Sequence, residues 1–308
     1  MGEKKTYVCG WDGGGTKTEV LCMRPDETVL ADDSFGPLNP NGAEQTKVVS
    51  TVRDSVAFMA KQPGGLDGCA ALVIGTAGVS NQAAVRLVTE TVRACGYHGP
   101  LQVLGDQEVA LAGAIRGPGA VLVAGTGSIC CGRDDSGHTT RVGGRGYLID
   151  DEGSGYALGR DILMAVVRAE DGRAAPTALT PMVFDTLGVG DVHKIVTWLY
   201  APTTGKKEVA ALAPLLLRAL DEGDGAAEAI ADKAASSLAE LAVAAWRNLG
   251  LHTGELAFIG SILMRYPRIR QGVTARCQAA CPGMTIREPR DGAAKGAALL
   301  ALALARRG

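Results

Sequence analysis

The stretch Tyr7–Thr18, YVCGWDGGGTKT, decides how the rest of the chain is read. It is an apolar strand that ends in an acidic residue, turns through Gly13, Gly14 and Gly15, and leaves as a second strand over Glu19–Met23. Consecutive glycines allow positive φ and let a ligand approach the backbone closely. The N–H groups of such a turn, with the Thr16 hydroxyl, can donate to phosphate oxygens. Lys17 adds a point charge, and Asp12 stands where it can hold a hydrated metal ion. The stretch is neither a Walker A loop nor a dinucleotide fingerprint, because a strand follows the glycines instead of a helix. A plain hairpin turn is the bland alternative.

Composition narrows the classes. The 308 residues are 46% hydrophobic and 21% charged, with a formal net charge of −2 and 4% aromatics. That is a globular chain without a basic, aromatic-interleaved surface for nucleic acid. The longest apolar run, near Ala297–Ala305, is too short to span a bilayer. The charged start, MGEKKT, predicts neither a signal peptide nor a DNA-binding segment before the first strand, and a cytoplasmic location is expected. The eight cysteines form no CxxC pair and read as reduced core residues. The four histidines have no metal-ligand spacing.

Along the chain the pattern is β-β-β-α-β-α-β-α to about residue 115. A helix is expected over 43–61, with Val48, Val52 and Val56 on one face. The loop GPLNPNG (36–42) precedes it, and GTAG (75–78) closes a buried strand. Gly117–Gly119 is the expected boundary. A second β-turn-β follows, with GTGS (125–128) where the first half has its glycines. The shared layout predicts two related lobes, each with a mixed sheet and a glycine turn, and a cleft between them. Helices dominate later, including a continuous one over 206–220 and a long amphipathic one over 224–249 capped by Asp224. Strand-end turns recur at Gly105–Asp106 and Gly260–Ser261, and ligands of open α/β sheets sit at such ends.

This set of turns resembles the actin-like ATPase superfamily, and within it the BadF/BadG/BcrA/BcrD ATPase family, which includes N-acetylglucosamine kinase. The resemblance runs through WDGGGTKTEV (11–20), GPLNPNG (36–42), LGDQEVALAGA (104–114), AVLVAGTGSI (120–129), GGRGYLIDDEGSGYALG (143–159), FIGSIL (258–263) and GAAKGAALLA (292–301). It implies a two-lobed α/β fold of the actin-like, ribonuclease H-like kind. Lobe 1–117 is joined by the closing helix 290–308, and the other lobe is 118–289. It implies an ATP-dependent sugar kinase acting on an amino sugar or a close analogue. The alternatives are an ATPase that activates a partner enzyme and a nucleotide-dependent regulator.

Carried over by position, Gly13, Gly14, Gly15, Thr16, Lys17, Gly125, Thr126, Gly127, Gly260 and Ser261 would bind nucleotide. Asp106 would be the general base, with the cap of the following helix as its bland alternative. Asn39, Ser128, Ile129, Gly144, Arg145, Gly146 and Asp151 would line the sugar, with Asp106 among them. Asn39 can also be a turn residue, as can Asn41, and Glu152 or Ser154 can cap the next helix. Mg²⁺ would arrive with ATP and meet Asp12, through water. The expected assembly is a homodimer, with no nucleic-acid or membrane partner. Two positions depart from the family pattern: Arg145 replaces a tryptophan, and Asp150 replaces a glycine. A free guanidinium there would disfavour an ammonium sugar and suit a neutral or acidic one, unless Arg145 pairs with Asp150 or Asp151. Ile129 stands where N-acetylglucosamine kinases tend to carry a polar residue.

Overall fold

The structure, a computed structural model, describes residues 6–39, 44–77, 79 and 81–307. The charged tail at 1–5, Asn41 and Gly42 of the GPLNPNG loop, Ala43 at the expected helix start, and Gly78 of GTAG lie outside the described residues.

In chain order the elements are β1 (Tyr7–Gly13), β2 (Thr18–Met23), β3 (Val29–Phe35), α1 (Gln45–Ala60), β4 (Cys69–Thr76), α2 (Gln82–Ala94), β5 (Leu101–Gly105) and α3 (Asp106–Ala114). Then come β6 (Gly119–Ala124), β7 (Ser128–Arg133), β8 (Thr139–Gly143), α4 (Gly155–Glu170), α5 (Leu179–Leu187), α6 (Val192–Leu199), α7 (Lys206–Ala210) and α8 (Pro214–Asp221). The chain closes with α9 (Gly225–Asn248), β9 (Gly254–Ile259), α10 (Ser261–Arg265), α11 (Pro267–Ala280), β10 (Met284–Arg287) and α12 (Ala293–Ala305). Two compact units result, Met1–Arg116 with Pro289–Gly308, and Gly117–Glu288.

Each unit holds a five-stranded sheet, ordered β3-β2-β1-β4-β5 in the first and β10-β9-β6-β7-β8 in the second. The second order read backwards is the first one over again. In both, an antiparallel three-stranded meander is followed by two parallel strands. The central strands β1 and β6 are buried along nearly their whole length, which is why they read as continuous apolar runs. Parallel register aligns Gly13 with Thr76, and Thr76 with Gly105. Asp12 and Asp106 therefore come to the carboxyl ends of parallel strands in the first sheet, about 10 Å apart at two strand spacings.

The first unit's core packs Val48, Val52, Val56 and Met59 of α1 against Trp11, Leu72 and Ile74 of the sheet. The other face of that sheet is covered by α12, with Ala297, Ala298 and Ala301 against Val8, Val73 and Val109. A methyl on Gly10 would lie 2.0 Å from the Ala298 nitrogen, so α12 rests on β1 at backbone contact. The second core is built on α9, whose cap is as expected: the Asp224 carboxylate accepts from Ala227 N–H at 2.9 Å.

One expectation and one alternative reading need correcting, and one element comes in addition. The helix over 206–220 is two, because Pro214 starts α8: it has no N–H to donate to the preceding turn. A short helix, α10, precedes Pro267 and takes up the chain directly after Gly260. Asp106 does not cap α3; it is the first helical residue, and Gly105 is the cap.

Candidate functional site

In the first unit the site grows from the end of β1. Gly14 N–H donates to the Lys17 carbonyl at 2.9 Å and closes the glycine turn. The Gly14 carbonyl accepts from both Leu38 N–H (3.1 Å) and Asn39 N–H (3.2 Å), which brings Asn39 to the turn across a long sequence gap. Gly15, Thr16 and Lys17 are exposed. Lys17 is paired with Glu19, Nζ to Oε1 at 2.5 Å, in an exposed contact that contributes little to stability. Gly13 is buried, and a methyl on it would meet the Leu38 side chain at 2.6 Å.

Burial pushes the Asp12 carboxyl up to about 6, reinforced by the negative charges of Glu19 and Asp106 and eased by Lys17. A half-buried acid facing two further carboxylates is a place where a divalent cation relieves repulsion. Among the described residues no cluster of three or more His, Cys, Asp or Glu could hold a metal ion by itself. This donor set fits a hydrated Mg²⁺ carried mainly by phosphates and water.

Asp106 is exposed at the first position of α3, and its Oδ1 accepts from Gln107 N–H at 2.9 Å. The capping work falls to Glu108, whose Oε1 accepts from Gly105 N–H at 3.1 Å. The Asp106 carboxylate is thus left accessible at the start of a helix.

In the second unit the turn after β6 is closed by Gly125 N–H donating to the Gly127 carbonyl at 2.9 Å. The start of α4 is fastened to it: Gly155 N–H donates to the Gly125 carbonyl (2.7 Å) and Tyr156 N–H to the Thr126 carbonyl (3.4 Å). Ser154 caps α4 by accepting from Ala157 N–H at 3.3 Å; of the two capping candidates, Glu152 has no such bond. Thr126 is exposed, and Ser128 is buried with its hydroxyl donating to the Glu152 carbonyl at 2.7 Å.

Asp151 is 3% exposed, sits at φ +66°, accepts from Ser128 N–H at 3.2 Å, and pairs with Lys206 at 2.6 Å. A methyl on Gly127 would lie 2.9 Å from Lys206 Nζ and 3.0 Å from the Asp151 carboxylate oxygens. Lys206 Nζ also stands 5.8 Å from the centroid of Tyr147, whose ring meets Tyr156 edge-on at 4.7 Å. Sequence reasoning missed Lys206, and nothing local marks it, since its acidic partner is 55 positions away.

The loop carrying Arg145 is closed from within. Asp150 accepts from the Arg145 backbone N–H at 2.7 Å, and the Gly146 carbonyl from Ile149 N–H at 3.2 Å. The Arg145 side chain is exposed and enters no ion pair among the described residues. Gly144 and Gly146 have φ of +69° and +106°, and Ile129 lies against Gly144.

Gly260, at φ +99°, passes so close to the end of β6 that a methyl on it would lie 2.3 Å from the Ala124 carbonyl. It leads into a pocket of about 210 Å³ lined by Gly125, Thr126, Ser261, Pro214, Arg265 and Tyr266. The second glycine turn and the Gly260–Ser261 turn thus share one cavity. Arg265 and Tyr266 were not singled out by sequence. Their only sequence signal is that they follow the strand-end turn by one helical turn.

A duplicated five-stranded sheet with a glycine turn at the end of each unit's first strand defines the actin-like ATPase class. The Thermus thermophilus ROK hexokinase shares the fold, with a TM-score of 0.57 at 17% identity over 98% of this chain and 100% of that one. The sequence profile of the BadF/BadG/BcrA/BcrD ATPase family matches residues 9–301, and the chain belongs to that family. It is 34% identical, over 75% of its length and 76% of the relative's, to the N-acetylmuramic acid/N-acetylglucosamine kinase of Clostridium acetobutylicum. It is 27% identical, over 97% and 98%, to the N-acetyl-D-glucosamine kinase of Dictyostelium discoideum. A candidate N-acetylglucosamine kinase from Chromobacterium violaceum superposes with a TM-score of 0.69, at 26% identity and 97% and 99% coverage.

Proposed function

We propose that the chain transfers the γ-phosphoryl group of ATP to a hydroxyl of an N-acetylated amino sugar. The observation that carries this reading is the alignment of Asp12, the glycine turn and Asp106 at the carboxyl ends of the first sheet's parallel strands. The family and the relatives above support the same reaction class. Phosphoryl transfer asks for positioning and charge neutralisation more than for covalent chemistry. Mg²⁺ bound with ATP supplies part of that neutralisation.

In this reading Gly13–Lys17 and Gly125–Gly127 are the two phosphate turns, each closed by one internal hydrogen bond, from Gly14 N–H and from Gly125 N–H, and the N–H groups not spent in that way donate to phosphate oxygens. Asp12 orients the hydrated ion. The pocket at Gly260, Ser261, Arg265 and Tyr266 takes the nucleoside. Asp106 accepts the proton of the attacking hydroxyl, and Asn39 and Asp151 hold other hydroxyls. The free guanidinium of Arg145 suits an acceptor bearing a carboxylate, such as N-acetylmuramic acid, and disfavours glucosamine. The enzyme is proposed to work in the cytoplasm as a homodimer; among the described residues no helix is long and apolar enough to cross a membrane.

A coupled ADP-release assay over N-acetylmuramic acid, N-acetylglucosamine, glucosamine and glucose tests the reading. Turnover should be highest with the N-acetylated sugars and lowest with glucosamine. Asp106→Asn should reduce kcat by about 10²–10⁴-fold while ATP binding is retained. Full activity in that variant would remove Asp106 from the chemistry.

A further inference from the structure

We propose that Lys206 is a positioning residue that couples acceptor binding to the nucleotide turn by holding the Asp151 side chain in place against Gly127. The proposal rests on the kinase reading above and adds to it a residue that the family motifs do not contain.

The pair is lopsided. The Asp151 side chain is 4% exposed and that of Lys206 is 30% exposed. A buried carboxylate is tolerated only when paired and hydrogen-bonded. Asp151 has two such contacts, the Ser128 N–H and the Lys206 ammonium. Its backbone is also in the left-handed region, a conformation that persists only when its surroundings enforce it. The following residues continue into the Ser154 cap and the two N–H groups that α4 donates to the Gly125 and Thr126 carbonyls. One carboxylate therefore ties the glycine turn, through Ser128, to the loop that starts α4.

Lys206 has spare capacity. An ammonium has three donors, and Asp151 takes one. The Nζ lies beside Gly127 of the second glycine turn, 2.9 Å from where a methyl on that residue would be. It is the first residue of α7, whose opening turn is fixed by Glu208 accepting from Gly205 N–H at 2.8 Å. Van der Waals contact between Gly159 and Val209 holds α7 against α4; a methyl on Gly159 would lie 2.0 Å from the Val209 carbonyl. Without the ammonium, the buried Asp151 side chain keeps a single N–H partner and must shift to find another. That change costs the acceptor its hydroxyl partner and loosens the turn that holds phosphate.

The test compares wild type, Lys206→Met, Lys206→Arg, Asp151→Asn and the Lys206→Met/Asp151→Asn double variant on the best sugar of the panel. Sugar KM, kcat, sugar affinity with and without ADP, and melting temperature are read for each. Lys206→Met should raise sugar KM about 10-fold or more with a smaller loss in kcat, and ADP should no longer tighten sugar binding. Lys206→Arg should restore KM to within about threefold of wild type. Asp151→Asn should raise KM similarly, and the double variant should be no worse than either single change.

A Lys206→Met enzyme with unchanged KM and unchanged coupling, differing only in melting temperature, would make the pair a plain structural tie and overturn the proposal. Additive losses in the double variant would overturn it too; should Lys206→Met not fold, an Asp151→Asn enzyme with unchanged sugar KM and unchanged coupling would overturn it instead. Absence of turnover by wild type on every sugar would instead sink the kinase reading, and this proposal with it.

Discussion

Asp12, proposed above to orient the metal ion, shows how a candidate site residue loads its own fold. A carboxyl usually near 3.8 is held at about 6 by burial first, then by Glu19 and Asp106. Native Asp12 binds a proton more tightly than the unfolded chain does. Its stabilising effect is present below the unfolded value and is lost as pH rises through about 6. Above that the ionised group works against folding, by up to about 3 kcal/mol for a shift of this size. Asp12→Asn should therefore raise the urea stability of the ligand-free protein by about 1–3 kcal/mol at pH 7.5. The gain should shrink as pH drops below 6, and the same variant should bind Mg-ATP more weakly. Lower stability of Asp12→Asn at pH 7.5 would show that the carboxylate is satisfied by contacts of its own. Position 12 was readable as a strand-end acid from WDGGG. Its raised pKa was not, because it comes first from burial in the packed fold and then from charges on β2 and at the start of α3.

At the scale of elements, the closing helix is the informative one. Its sequence is an Ala-rich run with glycines at 292 and 296, a pattern that identifies a buried helix but not its partner. In the fold Gly10 of β1 faces Ala298, and Gly296 faces Val109 and Gly113 of α3, all at backbone contact. These glycines are where a methyl cannot fit. Gly10→Ala should cost about 3 kcal/mol by overpacking, read as a lowered urea midpoint with an unchanged slope. A near-neutral Gly10→Ala would mean that α12 can slide away from β1. The same limit of local reading explains the interrupted helix at 206–220. Apolar periodicity carries through 211–213, while Pro214 ends the hydrogen-bond ladder. Side-chain periodicity continues past a residue whose backbone chemistry forbids the helix.

Over the whole molecule, the cysteines report on packing. Every cysteine but Cys95 is buried, in the cores of the two units. Burial raises the Cys130 thiol and pushes Cys277 up to about 12, so the reactive thiolate is scarce. A thiol titration with an aromatic disulfide reagent at pH 8 should show Cys95 reacting in the native protein and the others only with unfolding. Rapid native labelling of Cys277 or Cys130 would mean that the second core opens far more readily than its packing implies.

The sequence by itself determined the turns and the strands that carry them. Glycines at strand ends and continuous apolar strands are local signals, with causes inside a few residues. The duplicated layout was legible for the same reason, since each half repeats the order of its local elements. The candidates at Asp12, Asp106, Thr126 and Ser261 came from that reading together with the family resemblance. Only the tertiary structure decided which charges face one another. Lys206 meets Asp151 across 55 positions, Asn39 joins the first turn through Gly14, and Arg265 and Tyr266 reach the pocket of the second turn. Ion pairing and cavity formation depend on distances that chain connectivity leaves free until the cores of the two units have packed.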